Sequence, residues 1–195
     1  MPHLDIHLSK RSHEGLESEC GDTGIIRETG DECFFALIDV LGHGREAHKV
    51  SVLAEEFLCE NFPRDLVDLM NGLHSCLKGT RGAVAALCRL NRSTGELRYV
   101  GVGNINVRLF GAESFSFVPR DGIIGYMMSL PKEQTVRLCG GDLLILSSDG
   151  VREHFNLEDY PGLLTGSASA IASEVLERLS KGNDDASCIV LRYGK

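Results

Sequence analysis

Residues 33–44 read Cys33-Phe34-Phe35-Ala36-Leu37-Ile38-Asp39-Val40-Leu41-Gly42-His43-Gly44. Phe34 through Ile38 is an unbroken apolar run, short enough and sharply enough bounded to predict a buried strand. Asp39 emerges directly from it, and a carboxylate there is costly without a partner. Gly42 and Gly44 then allow a sharp turn and a close backbone approach to a ligand. Taken alone, the pattern is better explained as a strand-ending turn, where Asp and Gly are common. Three further segments shift the balance. Leu143-Leu144-Ile145-Leu146-Ser147-Ser148-Asp149-Gly150 repeats the arrangement, Asn183-Asp184-Asp185 opens onto the apolar run Ala186–Leu191, and Cys20-Gly21-Asp22 lies in the turn before a strand. If these strands share a sheet, four carboxylates converge. Clustered carboxylates resist ionisation near one another, and Mg²⁺ or Mn²⁺ relieves the conflict because hard cations take oxygen ligands. Metal sites of this kind often handle phosphate.

Outward from this stretch, residues 3–8 alternate as a strand edge, and Thr23–Arg27 and Cys33–Val40 read as two strands joined around Gly30-Asp31. Ala47, Val50, Leu53, Ala54, Phe57 and Leu58 recur at helical spacing, with Pro63 marking the end. Leu66, Leu69, Met70, Leu73, Cys76 and Leu77 form a second helical stripe closed by Gly79. The period then returns to strands. They are Ala83–Leu90, a loop over Asn91–Gly95, Leu97–Val102, Asn106–Phe110 and Ser114–Val118, the last two continuing a meander. Gln134–Leu138 and Leu143–Leu146 read as a hairpin through Gly140-Gly141-Asp142. A third helix runs through Ala170, Ile171, Val175, Leu176 and Leu179, and Ser187–Tyr193 is the last strand. Strands, two helices, several strands, one or two helices and a strand fit an α+β architecture, with two antiparallel sheets and the helices outside. No repeat, low-complexity tract or linker divides the chain, so residues 1–195 read as a single domain.

The length of 195 residues permits a sizeable core, and 43% hydrophobic with 25% charged residues is an ordinary globular composition. A formal net charge of −8 argues against a nucleic-acid partner. No apolar run approaches the ~18 residues of a membrane span, and the N-terminus lacks a signal peptide's apolar core, which makes the cytoplasm the expected compartment. None of the 7 cysteines forms a Cys-x-x-Cys pair. Cys59, Cys76, Cys88 and Cys188 read as small buried thiols in a reducing compartment. Cys20, beside Gly21-Asp22, is the one whose reactivity is worth checking, although core packing is its better reading.

Four segments, in this order and over nearly the whole chain, carry a resemblance. Gly21-Asp22, Asp39-Val40-Leu41-Gly42-His43-Gly44, Ser148-Asp149-Gly150 and Asp184-Asp185-Ala186-Ser187 resemble the metal-dependent serine/threonine protein phosphatases of the PPM type. Thr80-Arg81-Gly82-Ala83, Val102-Gly103-Asn104-Ile105 and Gly125-Tyr126 before Pro131 narrow it to the compact bacterial branch containing SpoIIE and RsbX, nearer the latter. The resemblance implies a four-layer α-β-β-α sandwich with Mn²⁺ or Mg²⁺, two ions, at one edge. By motif position Asp39 bridges the ions, Val40 offers its carbonyl, Asp149 and Asp184 hold one ion, and Asp22 serves the second or its waters. It further implies attack on a phosphoserine or phosphothreonine by a metal-activated water, and substrates among the phosphorylated STAS-domain proteins of a stressosome, a partner-switching stress-response scaffold.

Val40 departs from the family pattern, since many relatives have glycine there; a carbonyl ligand tolerates the change if the backbone is not at positive φ. His43, beside Asp39 in sequence, is a candidate proton donor to the leaving alkoxide, although it is offset from the histidine of larger relatives. A turn-bound or supporting role suits it better. Asn104 reads as structural, holding a tight bend. Asp185 adjoins Asp184, which is the preferred ligand. His3, His7, His13, His48, His74 and His154 are expected at surface or satisfied polar positions. Two other functions compete: a catalytically silent docking module, which a missing aspartate would favour, and a small-molecule phosphohydrolase. The absence of tryptophan and an aromatic content of 6% speak against the aromatic pocket the last would need.

Overall fold

Alternate residues of strand β3 (Glu32–Val40) enter two different cores, which explains why its sequence is apolar without a break. Phe34, Ala36, Ile38 and Val40 pack with helices α1 (Arg45–Asn61) and α2 (Leu66–Cys76), while Cys33, Phe35 and Leu37 pack toward a second sheet. Strands β11 (Leu143–Ser147) and β12 (Ala186–Tyr193) of that second sheet divide in the same way. Leu144, Leu146, Ile189 and Leu191 face the first sheet, and Leu143, Ile145, Cys188 and Val190 face helix α3 (Ala168–Leu179). Three separate apolar clusters are therefore sandwiched between four layers, two of helices and two of sheet, and the computed structural model of the chain is the expected α-β-β-α sandwich. It describes residues 3–13, 15, 19–112, 114–153, 160 and 162–194; His154 lies outside these.

The remaining strands are β1 (Leu4–Arg11), β2 (Asp22–Thr29), β4 (Ala83–Asn91), β5 (Glu96–Val102), β6 (Asn106–Phe110), β7 (Phe115–Ser116), β8 (Gly122–Ile123), β9 (Met127–Met128) and β10 (Gln134–Arg137). One sheet runs β10-β5-β4-β3-β2 and the other β1-β12-β11-β6-β7, and β8-β9 is a separate small ribbon. All named strand pairs are antiparallel. Helix α2 starts where the Asp65 carboxylate accepts the Val67 N–H at 2.9 Å, an N-cap. Helix α1 has no such cap and starts at Gly44, directly out of the turn that follows Asp39.

Four expectations need correction. Gly140-Gly141-Asp142 does not close a hairpin: β10 pairs with β5 in one sheet and β11 with β6 and β12 in the other. The turn itself is real, since the Asp142 carboxylate accepts the Cys139 N–H at 2.8 Å and the Gly141 N–H donates to Tyr193 O at 2.8 Å. Turn chemistry fixes a local reversal, not the layer in which the chain continues. For the same reason the meander breaks after β5, and Gly103-Asn104 carries the chain across to β6. Ser114–Val118 shortens to the two residues of β7. Among the thiols, Cys88 and Cys188 are fully buried, whereas Cys59 and Cys76 are half-buried on the helices. Cys20 is buried, and burial, with Asp185 and Asp22 adding to it, pushes its thiol up to about 12, so it is a packing residue and not a nucleophile.

Leu87 fills the core beneath α1 and α2, and Leu144 the core between the sheets, each wholly inaccessible to solvent. Leu87→Ala and Leu144→Ala are each expected to lower unfolding free energy by about 2–5 kcal/mol, read from the midpoint of urea unfolding at constant slope.

Candidate active site

The face of β3 that carries Phe35 and Leu37 into the inter-sheet core ends on Asp39, because side chains two apart share a face. Register places Asp22, the first residue of β2, directly opposite Asp39, so two carboxylates stand side by side at the mouth of that core. The second sheet supplies the rest. Ser147 pairs with Cys188, and the Ser148 N–H donates to Ser187 O at 3.0 Å. The exit of β11 and the entrance of β12 therefore lie at one edge, with Asp149 just after the first and Asp184 just before the second. Asp39, Asp149 and Asp184 all line one cavity of about 410 Å³, together with Leu41, Gly42, Val84, Gly103, Asn104, Asp121, Gly122 and Ile123.

Asp22 belongs to the same cluster but sits behind the cavity wall. It is 1% exposed, and its Oδ2 accepts the Ser148 hydroxyl at 2.6 Å, a bond that crosses from one sheet to the other. Ser148 Oγ in turn accepts the Ser187 N–H at 2.9 Å. Burial pushes Asp22 up to about 6, against the lowering effect of the Ser148 bond and with Asp185 and Asp184 adding to the rise. Asp39 is pushed further, to about 9, by burial first and then by the charges of Asp22, Asp149 and Asp184. Four acids compete for few counter-charges.

Asp184 and Asp185 part company. The Asp185 carboxylate turns inward, 4% exposed, and accepts the Gly21 N–H at 2.6 Å and the His13 N–H at 2.8 Å. It ties the approach to β2 onto the approach to β12. Asp184 stays exposed in the cavity wall, with Oδ1 accepting the Asp185 N–H at 2.9 Å. Gly150 makes the junction possible: a Cβ there would fall 1.8 Å from Asp185 O, so any side chain after Asp149 forces the two acidic loops apart.

Val40 and His43 are not in the cavity wall. Val40 is buried under α1. The His43 ring lies edge-on to His13, with centroids 5.7 Å apart. His48 Nδ1 is 3.1 Å from Cys20 O, and His74 Nδ1 accepts the Gly125 N–H at 3.1 Å, so both are satisfied polar positions. Two polar residues of the cavity, Asn104 and Asp121, carry no site role in the sequence reading. Asn104 does hold the crossover after β5, but its amide also donates to Asp149 Oδ2 at 3.0 Å. Asp121 reaches the cavity from the loop before β8; its Asp-Gly signature was present in sequence but followed no long apolar run, and so carried no signal.

The donors facing the cavity are oxygen only, which suits a hard divalent cation and not zinc or copper. Among the described residues, no three acidic, imidazole or thiol groups are close enough to grip one ion unaided. That is compatible with Mg²⁺ or Mn²⁺ held by a few carboxylates with waters completing the shell, and a half-open cavity leaves room for them.

Residues 29–194 match the model of the family described as stage II sporulation protein E (SpoIIE). Phosphoserine phosphatase RsbX of Bacillus subtilis (strain 168) is 28% identical over 153 residues, 76% of this chain and 75% of that protein. A solved structure from work on the bacterial stressosome, as a modular system adapted to control secondary messenger signalling, matches 97% of this chain and 100% of its own with TM-score 0.89 at 30% identity. The structure of RsbX in complex with magnesium matches 100% of both chains with TM-score 0.85 at 21% identity, a likeness of fold. With the family match extending over most of its length, the chain belongs to the family of stage II sporulation protein E (SpoIIE).

Proposed function

We propose that this chain is an Mn²⁺- or Mg²⁺-dependent phosphatase that removes phosphate from phosphoserine or phosphothreonine in proteins. The observation that carries the reading is the convergence of Asp39, Asp149 and Asp184 on one cavity, with Asp39 driven to hold its proton by burial first and then by the charges of its neighbours. Such a cluster is an unfavourable arrangement unless cations occupy it. Asp39, Asp149 and Asp184 would hold two ions, with the Val40 carbonyl and, through waters, Asp22 completing the set. When bound, the ions supply charge to offset the phosphoryl oxygens and activate water for in-line attack.

The chain's own groups prepare that chemistry. Ser148 holds Asp22 by its hydroxyl and keeps that carboxylate oriented toward the cluster. Asn104 fixes one oxygen of Asp149 in the cavity wall and leaves the other free of that bond. Asp185 locks the two loops together without entering the cavity. No step is assigned to His43. None of the four aspartates is missing from the sequence, which favours a working enzyme over a docking module. Likeness to RsbX and to the stressosome structure supports substrates among phosphorylated STAS-domain proteins of a partner-switching stress cascade.

Hydrolysis of a phosphoserine peptide, followed by phosphate release, is expected with Mn²⁺ or Mg²⁺ and lost with EDTA. Asp39→Asn and Asp149→Asn are each expected to reduce it at least about a hundredfold; turnover that survives EDTA or both substitutions overturns the reading. Asn104→Ala is expected to reduce metal affinity or activity about 10–100-fold, with part of the loss recovered at higher Mn²⁺. The pH dependence of unfolding in EDTA offers an independent check. An unfolded aspartate titrates near 3.9, so between there and about 9 native Asp39 keeps a proton that the unfolded chain has lost. Native stability should therefore fall as pH rises through that window. Asp39→Asn should flatten the fall, and saturating Mn²⁺ should abolish it, as followed by thermal unfolding at pH 5, 7 and 9.

A further inference from the structure

The most exposed apolar side chains of the described residues are gathered in one short segment. Val118 is 70% exposed, Tyr126 79%, Met127 72% and Leu130 84%, and no other large apolar residue exceeds 42%. The same segment supplies Asp121, Gly122 and Ile123 to the cavity wall. The contacts between them are direct. Met127 pairs with Ile123 across the β8-β9 ribbon, the Tyr126 N–H donates to Ile123 O at 3.2 Å, and the Ser129 N–H, next to Leu130, donates to Asp121 O at 2.9 Å. Tyr126, Met127 and Leu130 are thus at most one residue and one backbone contact from a residue that lines the cavity.

The segment is also anchored, so its exposure is not that of a loose loop. Ile124 is fully buried and exchanges backbone hydrogen bonds with Ala83 at 3.1 and 2.8 Å. The Gly125 N–H is held by His74 Nδ1. Arg120 is bonded on both sides, to Gly101 O and from the Gly103 N–H. A small phosphoester seated among the aspartates would not touch Tyr126, Met127 or Leu130, which stand outside the cavity. Clustered exposed apolar residues mark contact surfaces more often than isolated ones do, and aromatic and methionine side chains are enriched in such contacts.

Resting on the phosphatase reading above, we infer that Tyr126, Met127 and Leu130 form the docking surface for the folded phosphoprotein substrate, seating an apolar patch beside its phosphorylated serine or threonine. The continuity of the ribbon with the cavity wall selects this occupant, because whatever covers these side chains also stands over the aspartates. Recognition is then divided: the cavity takes the phosphoryl group and the ribbon takes the protein that carries it.

The test compares the native chain with Tyr126→Ser/Met127→Ser/Leu130→Ser and with a control on the exposed face of α1, Val52→Ser/Leu53→Ser. Two substrates are used with Mn²⁺: p-nitrophenyl phosphate and a phosphorylated STAS-domain protein. The ribbon variant is expected to keep p-nitrophenyl phosphate turnover within about twofold while its KM for the phosphoprotein rises about tenfold or more, the scale of losing a buried apolar anchor. The control variant is expected to match the native chain on both. Equal loss in ribbon and control variants, or no change for the phosphoprotein, overturns the inference while leaving the phosphatase reading intact. A concentration-dependent dimer of the native chain that the ribbon variant dissolves, seen by sedimentation, assigns the patch to a second copy and also overturns it. Absence of metal-dependent p-nitrophenyl phosphate and phosphoprotein turnover by the native chain removes the phosphatase reading itself, and the docking surface with it.

Discussion

Repulsion between Asp22 and Asp39, set side by side on neighbouring strands at the end of a buried face, is the constraint around which this edge of the molecule is built. Like charges directly opposite one another destabilise a sheet, and here both are largely withdrawn from water as well. The fold could have avoided the conflict with any apolar residue at either position. Instead it reinforces the arrangement: Ser148 donates to Asp22 from the other sheet, and Asp149 and Asp184 add further charge. Local unfavourable electrostatics of this kind are tolerated where function requires them and the surrounding packing is strong enough to hold them.

The packing that holds them is the doubly buried sandwich. Since β3, β11 and β12 are apolar on both faces, neither sheet can shift relative to the other without exposing a core. The site inherits that rigidity, because its residues are the terminal members of the same strand faces: Asp39 continues the line of Phe35 and Leu37, and Ser148 that of Leu144 and Leu146. Hydrogen bonds then close the edge. Asp185 grips the Gly21 and His13 amides, and the absence of a side chain at Gly150 lets the acidic loops meet. Positioning of this quality comes from regular elements more readily than from loops.

How much was legible in the sequence follows from which interactions are local. The buried strands and their emerging carboxylates could be read because an apolar run, a carboxylate and a glycine are neighbours in the chain. The helices were legible because Ala47–Leu58 and Leu66–Leu77 repeat at helical spacing. The break at Gly140-Gly141-Asp142 was not, because the same turn residues serve a hairpin and a crossing between layers, and the choice is made by β5 and β12, far away in sequence. Asp121 was invisible as a site residue for a related reason. Its loop has no strong strand to announce it, and only the bridges of Ile124 to Ala83 and Arg120 to β5 bring it to the cavity. Asn104 was seen as a bend and not as the partner of Asp149, since its hydrogen bond spans 45 residues.

The same distinction bears on how a chain of 195 residues can be selective. On the proposed reading the aspartates would answer to a phosphoryl group and cations, and the few side chains around them in the cavity offer little to distinguish one phosphoserine from another. Its apolar members, Leu41, Val84 and Ile123, are few and sit at its wall. A small, half-open site of this sort gains specificity mainly from surface outside the reacting centre, where binding energy can be used to orient the substrate. The β8-β9 ribbon is the part of the molecule that joins the two: its backbone is pinned to β4 and α2, its inner residues look onto the aspartates, and its outer side chains are the apolar surface most open to a partner. Chemistry fixed by the sandwich and recognition carried by the ribbon can then vary independently, so that a change of partner requires new side chains on one short segment and leaves the carboxylate cluster untouched.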